Sequence, residues 1–359
     1  MSSTSGDTAV LYPEDRHNLS RQGLLIIHNG LTNLHKRRMS PWSDEENQDL
    51  LLPRSPSPPS SVVLKDFVTI PDIMISRNSL LFLGFTENAA TTIWNRWLAL
   101  GNELERQSYS FESFFFQYIA GTAADAWSEN DQEWRGTMHT IGIRTGLQDR
   151  LLTPSCKPIR LTKTCKSWLR EYVAAKWHSL MQIQAYSRER AMATSRAAGR
   201  AEGSSSGQSL QLPGQSSGPS EDSSGLSELR STSGTLYSSG PSSIEATEPE
   251  VRSTAPGKTV LFRGGFLHHF EIFDEAGNAD KSKAENLQDP KGGDFNGTKN
   301  AAYFAVDWDV AAQYARFCKI TDENLAVGIL RMEVRNAHIE GLDENEKLVI
   351  DGLPRCGRR

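Results

Sequence analysis

The chain has 359 residues, a formal net charge of −5, 37% hydrophobic residues and a mean hydropathy of −0.49. That length has room for two domains, but the apolar content is too low for the whole chain to pack into one globule. The longest apolar run, Leu80-Leu81-Phe82-Leu83, is far too short to cross a bilayer.

Charge and composition divide the chain into four stretches. Net charge is −1 over 1–60, +4 over 61–200, −5 over 201–257 and −3 over 258–359. The first and third stretches are poor in apolar residues and rich in Ser, Gly and Pro, so they bury too little surface to offset the entropy of ordering. Residues 1–60 are therefore expected to be an unstructured arm. It carries a basic patch, His35-Lys36-Arg37-Arg38, and Ser-Pro pairs at Ser40-Pro41 and after Arg54 that suit a phosphorylation or localisation signal. The four cysteines share no paired spacing, which argues against a disulfide scaffold or a zinc site. The first 25 residues lack the apolar stretch of a secretory leader. A cytoplasmic or nuclear compartment is expected.

From about residue 61 to 200 the apolar period is helical. Asn88 can cap a helix through Ile93, Trp94, Trp97 and Leu98, and a second helix carries Phe111, Phe114, Phe115, Tyr118 and Ile119. A third begins near Asn130 and runs through Trp134, Met138, Ile141 and Leu147, until Pro154 and Pro158 break the pattern. A long amphipathic helix follows, with Cys165, Trp168, Leu169, Tyr172, Val173, Trp177, Leu180 and Met181 as its apolar stripe. These elements predict a helical bundle with an aromatic core. Its last part is the basic region of the chain, with eleven Lys and Arg between 150 and 200 against Glu171 and Glu189. Lys163, Lys166, Arg170 and Lys176 beside Trp168, Tyr172 and Trp177 mix cations and aromatics as nucleic-acid binders do. The aromatics, however, fall on the apolar stripe and the cations mostly opposite, which is the pattern of a solvated bundle helix. Nucleic acid is not the expected partner.

Residues 201–257 read as a flexible Ser/Gly-rich tether. Beyond it the period shortens. Thr259 to Arg263 reads as a strand stopped by Gly264-Gly265, Ala302 to Ala305 as a short strand, and Val310 to Phe317 as a helix capped by Asp307 or Asp309. Val327 to Val334 and Leu348-Val349-Ile350 read as further strands. The expected class is multidomain, α followed by α+β: a helical domain over 61–200 and a mixed α/β module, short of a complete sheet, over 258–359.

Tyr303-Phe304-Ala305, followed by Ala312 and Tyr314, resembles the Y-F-A-x6-A-x-Y stretch of the poly(ADP-ribose) polymerase catalytic domain. Leu261-Phe262-Arg263-Gly264 is similar to that family's strand ending in His-Gly, with the Arg of the toxin-like branch of the ADP-ribosyltransferase superfamily at the first position. The resemblance covers about 100 of the 359 residues. It implies an ADP-ribosyltransferase-like fold that binds NAD. Gly264 would let its backbone approach the nicotinamide carboxamide, and Tyr303 and Tyr314 would hold the ring between them. Arg263 would anchor a ribose or phosphate. A late glutamate, Glu346 or next Glu344, would stabilise the positive charge that develops as the glycosidic bond opens. Ala311 stands where the polymerase branch has a Ser on the carboxamide.

The implied activity is transfer of ADP-ribose to a protein target recruited by the helical domain. The alternatives are a non-catalytic interaction protein built on a degenerate copy of that fold, in which Tyr303, Phe304 and Tyr314 are core aromatics, and nucleic-acid binding through the basic helix. His268-His269 is a tempting metal pair, but adjacent residues point to different sides and no partner cluster is evident, so no metal is expected. Gly292-Gly293-Asp294-Phe295 echoes a cyclase signature by composition only.

Overall fold

The computed structural model describes residues 8–39, 64–101, 109–123, 125–203, 256–272, 280, 283, 287 and 302–341, the side chains of 197–203 apart. It is a mixed α and β molecule with two small antiparallel sheets. The expectation of an unstructured arm over 1–60 is corrected for 8–39. There, helix α1 (Pro13–Arg21) opens on a proline with Glu14 and Asp15 in its first turn, where the helix dipole favours negative charge. A hairpin follows, β1 (Leu25–His28) and β2 (Leu31–His35). Asn29 and Gly30 have φ of 50° and 73°, which the two-residue turn between His28 and Leu31 requires. Strand β3 (Phe67–Ile70) joins the far side of β2, giving the order β1-β2-β3. The basic patch at His35–Arg38 is the end of β2 and a single 3-10 turn, with Lys36 on Glu323. Few apolar residues suffice here because the surface that buries Leu19, Leu25 and Leu34 is supplied from elsewhere in the chain.

The helical block follows the predicted periods closely. Helix α2 spans Arg77–Phe82 and α3 spans Glu87–Leu98. The cap of α3 is Thr86, whose hydroxyl accepts from the Ala89 amide, and not Asn88. Helix α4 (Phe111–Ala120) is capped by Ser110. Asn130 caps α5 (Asp131–Ile141), which ends at Gly142 with φ of 82°. A Cβ at Gly142 would meet that of Ala89 at 2.4 Å, so the turn that separates α5 from α6 (Thr145–Leu151) also seats α3. Leu147 thus belongs to α6. Pro154 and Pro158 head a 3-10 turn and the short helix α7 (Lys157–Arg160). The last helix, α8 (Cys165–Gly203), has 39 residues. Its stripe is buried from Cys165 to Leu180, whereas Met181 is exposed.

Strand β4 (Lys258–Phe266) pairs antiparallel with β5 (Val327–Arg335) over nine residue pairs. Helix α9 (Trp308–Thr321) crosses one face of this ribbon, and α10 (Asn336–Glu340) follows β5. The short strand expected at 302–305 is a single bridge, Ala305 to Phe262. The expected strand Leu348–Ile350 and most of the expected linker lie outside the described residues. Phe266, Phe317, Cys318 and Leu325 of the C-terminal unit belong to the same core as the helical block and the N-terminal sheet. No helix among the described residues is long and apolar enough to cross a membrane.

Candidate functional site

The free edge of β4 carries the predicted site. Phe262 and Ala305 exchange two backbone hydrogen bonds, Phe262 N to Ala305 O at 2.7 Å and Ala305 N to Phe262 O at 2.8 Å. The segment 302–305 therefore lies along β4 on the side away from β5. Backbone groups two residues apart in a strand point the same way, so the N–H and C=O of Gly264 face this edge too. Arg263 and Gly264 lie one and two residues past this bridge on β4, and Tyr303 lies two residues before it on the other segment.

Strand β4 turns Arg263 and Gly264 to its opposite faces. Phe262 packs edge-on against Trp308 at 5.5 Å, and Gly264 lies under α9. A Cβ on Gly264 would sit 1.8 Å from the Ala311 carbonyl oxygen and 2.9 Å from the Ala315 nitrogen. The missing side chain is used for helix packing, and Ala311 is buried in that contact. Arg263 and Gly265 alternate to the opposite face. There the 3-10 turn Leu267–Phe270 covers them, with His269 at 3.9 Å and Phe270 at 3.7 Å from the Cβ position of Gly265. Arg263 is only 9% exposed. Tyr314 leans on Trp168 of α8, ring centroids 6.4 Å apart and tilted by 36°. Helix α9 rests on β4 at Ala311 and Ala315. Glu344 and Glu346 lie outside the described residues.

Two polar groupings join the C-terminal unit to α8. The first is a buried ion pair, Lys176 Nζ to Asp322 Oδ2 at 2.6 Å, each side chain 6% exposed. Burial alone would raise the Asp322 carboxyl, but Lys176, the Asn324 amide and Arg150 together hold it below the usual range. The Tyr172 hydroxyl donates to the same oxygen at 3.3 Å, and burial beside that carboxylate pushes the phenol up. The second grouping is three imidazoles. His268 and His269 lie 4.0 Å apart, and His178 of α8 is 5.4 Å from His268. Glu271 accepts from Gln182 Nε2 at 2.6 Å and lies 3.0 Å from His178 Nε2. The pair His268-His269 was visible in the sequence, but its third member is 90 residues upstream and left no local signal. Among the described residues no three His, Cys, Asp or Glu are arranged to hold a metal ion.

The cations of the basic helix are engaged inside the molecule. Lys163 pairs with Glu171, Lys166 donates to the carbonyls of Ala120 and Thr122, and Lys176 is buried with Asp322. Trp168, Tyr172 and Trp177 are core residues. Burial also pushes up the thiols of Cys165 and Cys318. No family model, curated protein or solved structure matches this chain.

Proposed function

We propose that the unit formed by β4, 302–305, α9 and β5 is an ADP-ribosyltransferase-like module that binds NAD along the outer edge of β4. The support is the reciprocal pair of backbone hydrogen bonds between Phe262 and Ala305, which sets Tyr303-Phe304-Ala305 beside Arg263-Gly264 in the order the resemblance implies. In this reading the N–H and C=O of Gly264 take the nicotinamide carboxamide, and one face of the ring stacks on Tyr303. Such a contact contributes about 0.5–1.5 kcal/mol. Tyr314, turned to Trp168, braces α9 instead of closing the other face. Glu346, or next Glu344, supplies the carboxylate for transfer of ADP-ribose to a protein target, which the helical block recruits.

The test is calorimetric titration of the full chain with NAD, followed by incubation with labelled NAD and a cell lysate. Binding that Tyr303→Ala weakens roughly two- to tenfold, and Tyr314→Phe leaves unchanged, is the expected result. A folded chain that binds no NAD at millimolar concentration overturns the reading. A second reading, a non-catalytic scaffold, draws on the burial of Arg263 and the packing of Tyr314 against Trp168. Binding without label transfer favours it.

A further inference from the structure

The contact between α8 and the turn after β4 gathers three imidazoles. His268 faces His269 at 4.0 Å and His178 at 5.4 Å. Arg263 from β4 and Lys163 from the segment before α8 add their charge around His269. The end of β5 that packs on this turn, Val327 and Gly328, has no titratable group. From the 3-10 turn after β2, Met39 reaches the contact while Lys36 is held by Glu323. The carboxylates nearby are committed elsewhere. Glu271 lies on His178 and Gln182, Glu171 pairs with Lys163, and Glu112 of α4 faces His178. Glu271 thus stands 3.0 Å from His178, whereas the charges that bear on His268 and His269 among the described residues are those of neighbouring imidazoles and, at His269, of Arg263 and Lys163.

We propose that His178, His268 and His269 form an acid-sensitive latch, which holds the turn after β4 against α8 at neutral pH and releases it when the solution is acidified. Burial first, and then the neighbouring imidazole, keeps His268 neutral well below the usual histidine range. Burial, with Arg263 and Lys163, brings His269 down to about 3. Once the contact opens, each ring titrates near 6.5. Both folded values are depressed, so closure is at full strength above about pH 6.5 and weakens by up to tenfold per imidazole for each pH unit below it. At pH 5.5 the two rings together shift the closing equilibrium roughly hundredfold towards open. A small pocket, open to solvent and lined by His178, Ser179, Gln182, His268 and Glu271, already enters the contact. Among the described residues the buried Ser179 hydroxyl has no protein hydrogen-bond partner, so water has a path and a polar site to occupy. Asp322 stays ionised over the same range, since its carboxyl is held low. The latch is independent of nucleotide binding.

The experiment is amide hydrogen exchange on the full chain at pH 7.5 and 5.5, corrected for intrinsic rates. The expected result is that protection over the turn, 267–271, falls by roughly hundredfold at pH 5.5, while α5 over 131–141 is unchanged. His268→Asn and His269→Asn should each leave only about a tenfold fall. Protection that does not depend on pH overturns the proposal, as does an equal loss in α5, which would be global acid unfolding. A fall that persists at full size in both variants overturns it too. If a variant does not fold, imidazole nitrogen resonances of the unsubstituted chain decide. Two rings that stay neutral at pH 5.5 in the closed population support the latch, and titration of every histidine near 6.5 without any opening overturns it.

Discussion

The two antiparallel sheets are tied to the same helix by similar devices and differ in almost everything else. The N-terminal sheet docks through α1, where the buried Asp15 carboxylate receives Arg190 Nε at 2.8 Å and its terminal nitrogen at 3.0 Å. The C-terminal ribbon docks through Asp322 and Lys176. At the first tie Arg190 keeps 34% exposure, so water still solvates the cation. At the second both partners are enclosed. One sheet is a hairpin with a two-residue turn to which a third strand, β3, is added, while the other pairs two strands some sixty residues apart in sequence and carries a helix on one face and a turn on the other. The ribbon of two distant strands is covered on both faces, and its tie is the dry one.

The sharpest way to break this comparison is Asp322→Ala. It strands Lys176 in a buried site and should cost about 3–5 kcal/mol in urea unfolding followed by tryptophan fluorescence. Because the Asp322 carboxyl is held low, its contribution is complete above about 3.8, the ordinary value, and drains only below that. Unfolding midpoints of this variant and the parent should therefore stay separated by a constant amount from pH 7 to 5. Next is Gly264→Ala, whose methyl would meet the backbone of α9 at 1.8 Å and should cost about 3 kcal/mol by lifting the helix from β4. Circular dichroism melts would detect it, and an unchanged melting temperature would mean that α9 does not rest on the strand. Asp15→Ala should cost less, about 1.5–3 kcal/mol, because Arg190 can turn to solvent. A loss equal to that of Asp322→Ala would erase the distinction between the wet and the dry tie. The smallest effect belongs to Gly30→Ala, at about 1–2 kcal/mol. Nothing lies within 4 Å of its Cβ position, and only the left-handed φ of 73° resists the substitution.

The helical block was largely legible because its period is local: Asn130 starts α5, and the stripe from Cys165 to Leu180 is buried as its spacing implies. The N-terminal sheet was lost by averaging composition over 1–60, although Ile27-His28-Asn29-Gly30-Leu31 carries a hairpin signal at residue scale. In the candidate site, sequence order put Arg263, Gly264 and Tyr303 together. Strand alternation already contained the fact that Arg263 and Gly264 face opposite sides. What no period could reveal was that Ala311 and Ala315, and not Tyr314, would take the seat on β4. His178 was equally hidden, since a long-range partner on an amphipathic helix looks like any other residue of its face.

The N-terminal hairpin and the helix that buries it are far apart in time as well as in sequence. The bonds from Tyr12 and Asp15 reach Ser187 and Arg190, 175 residues downstream. At about 5–20 residues per second, the ribosome adds that stretch in roughly 10–35 s. Through that interval Leu19, Leu25 and Leu34 have no surface to cover them, although the hairpin itself closes in microseconds. While that stretch is being added the nascent chain presents an undocked apolar hairpin, a natural substrate for chaperones that hold emerging chains. A version with its first 39 residues moved behind α8 would escape that wait.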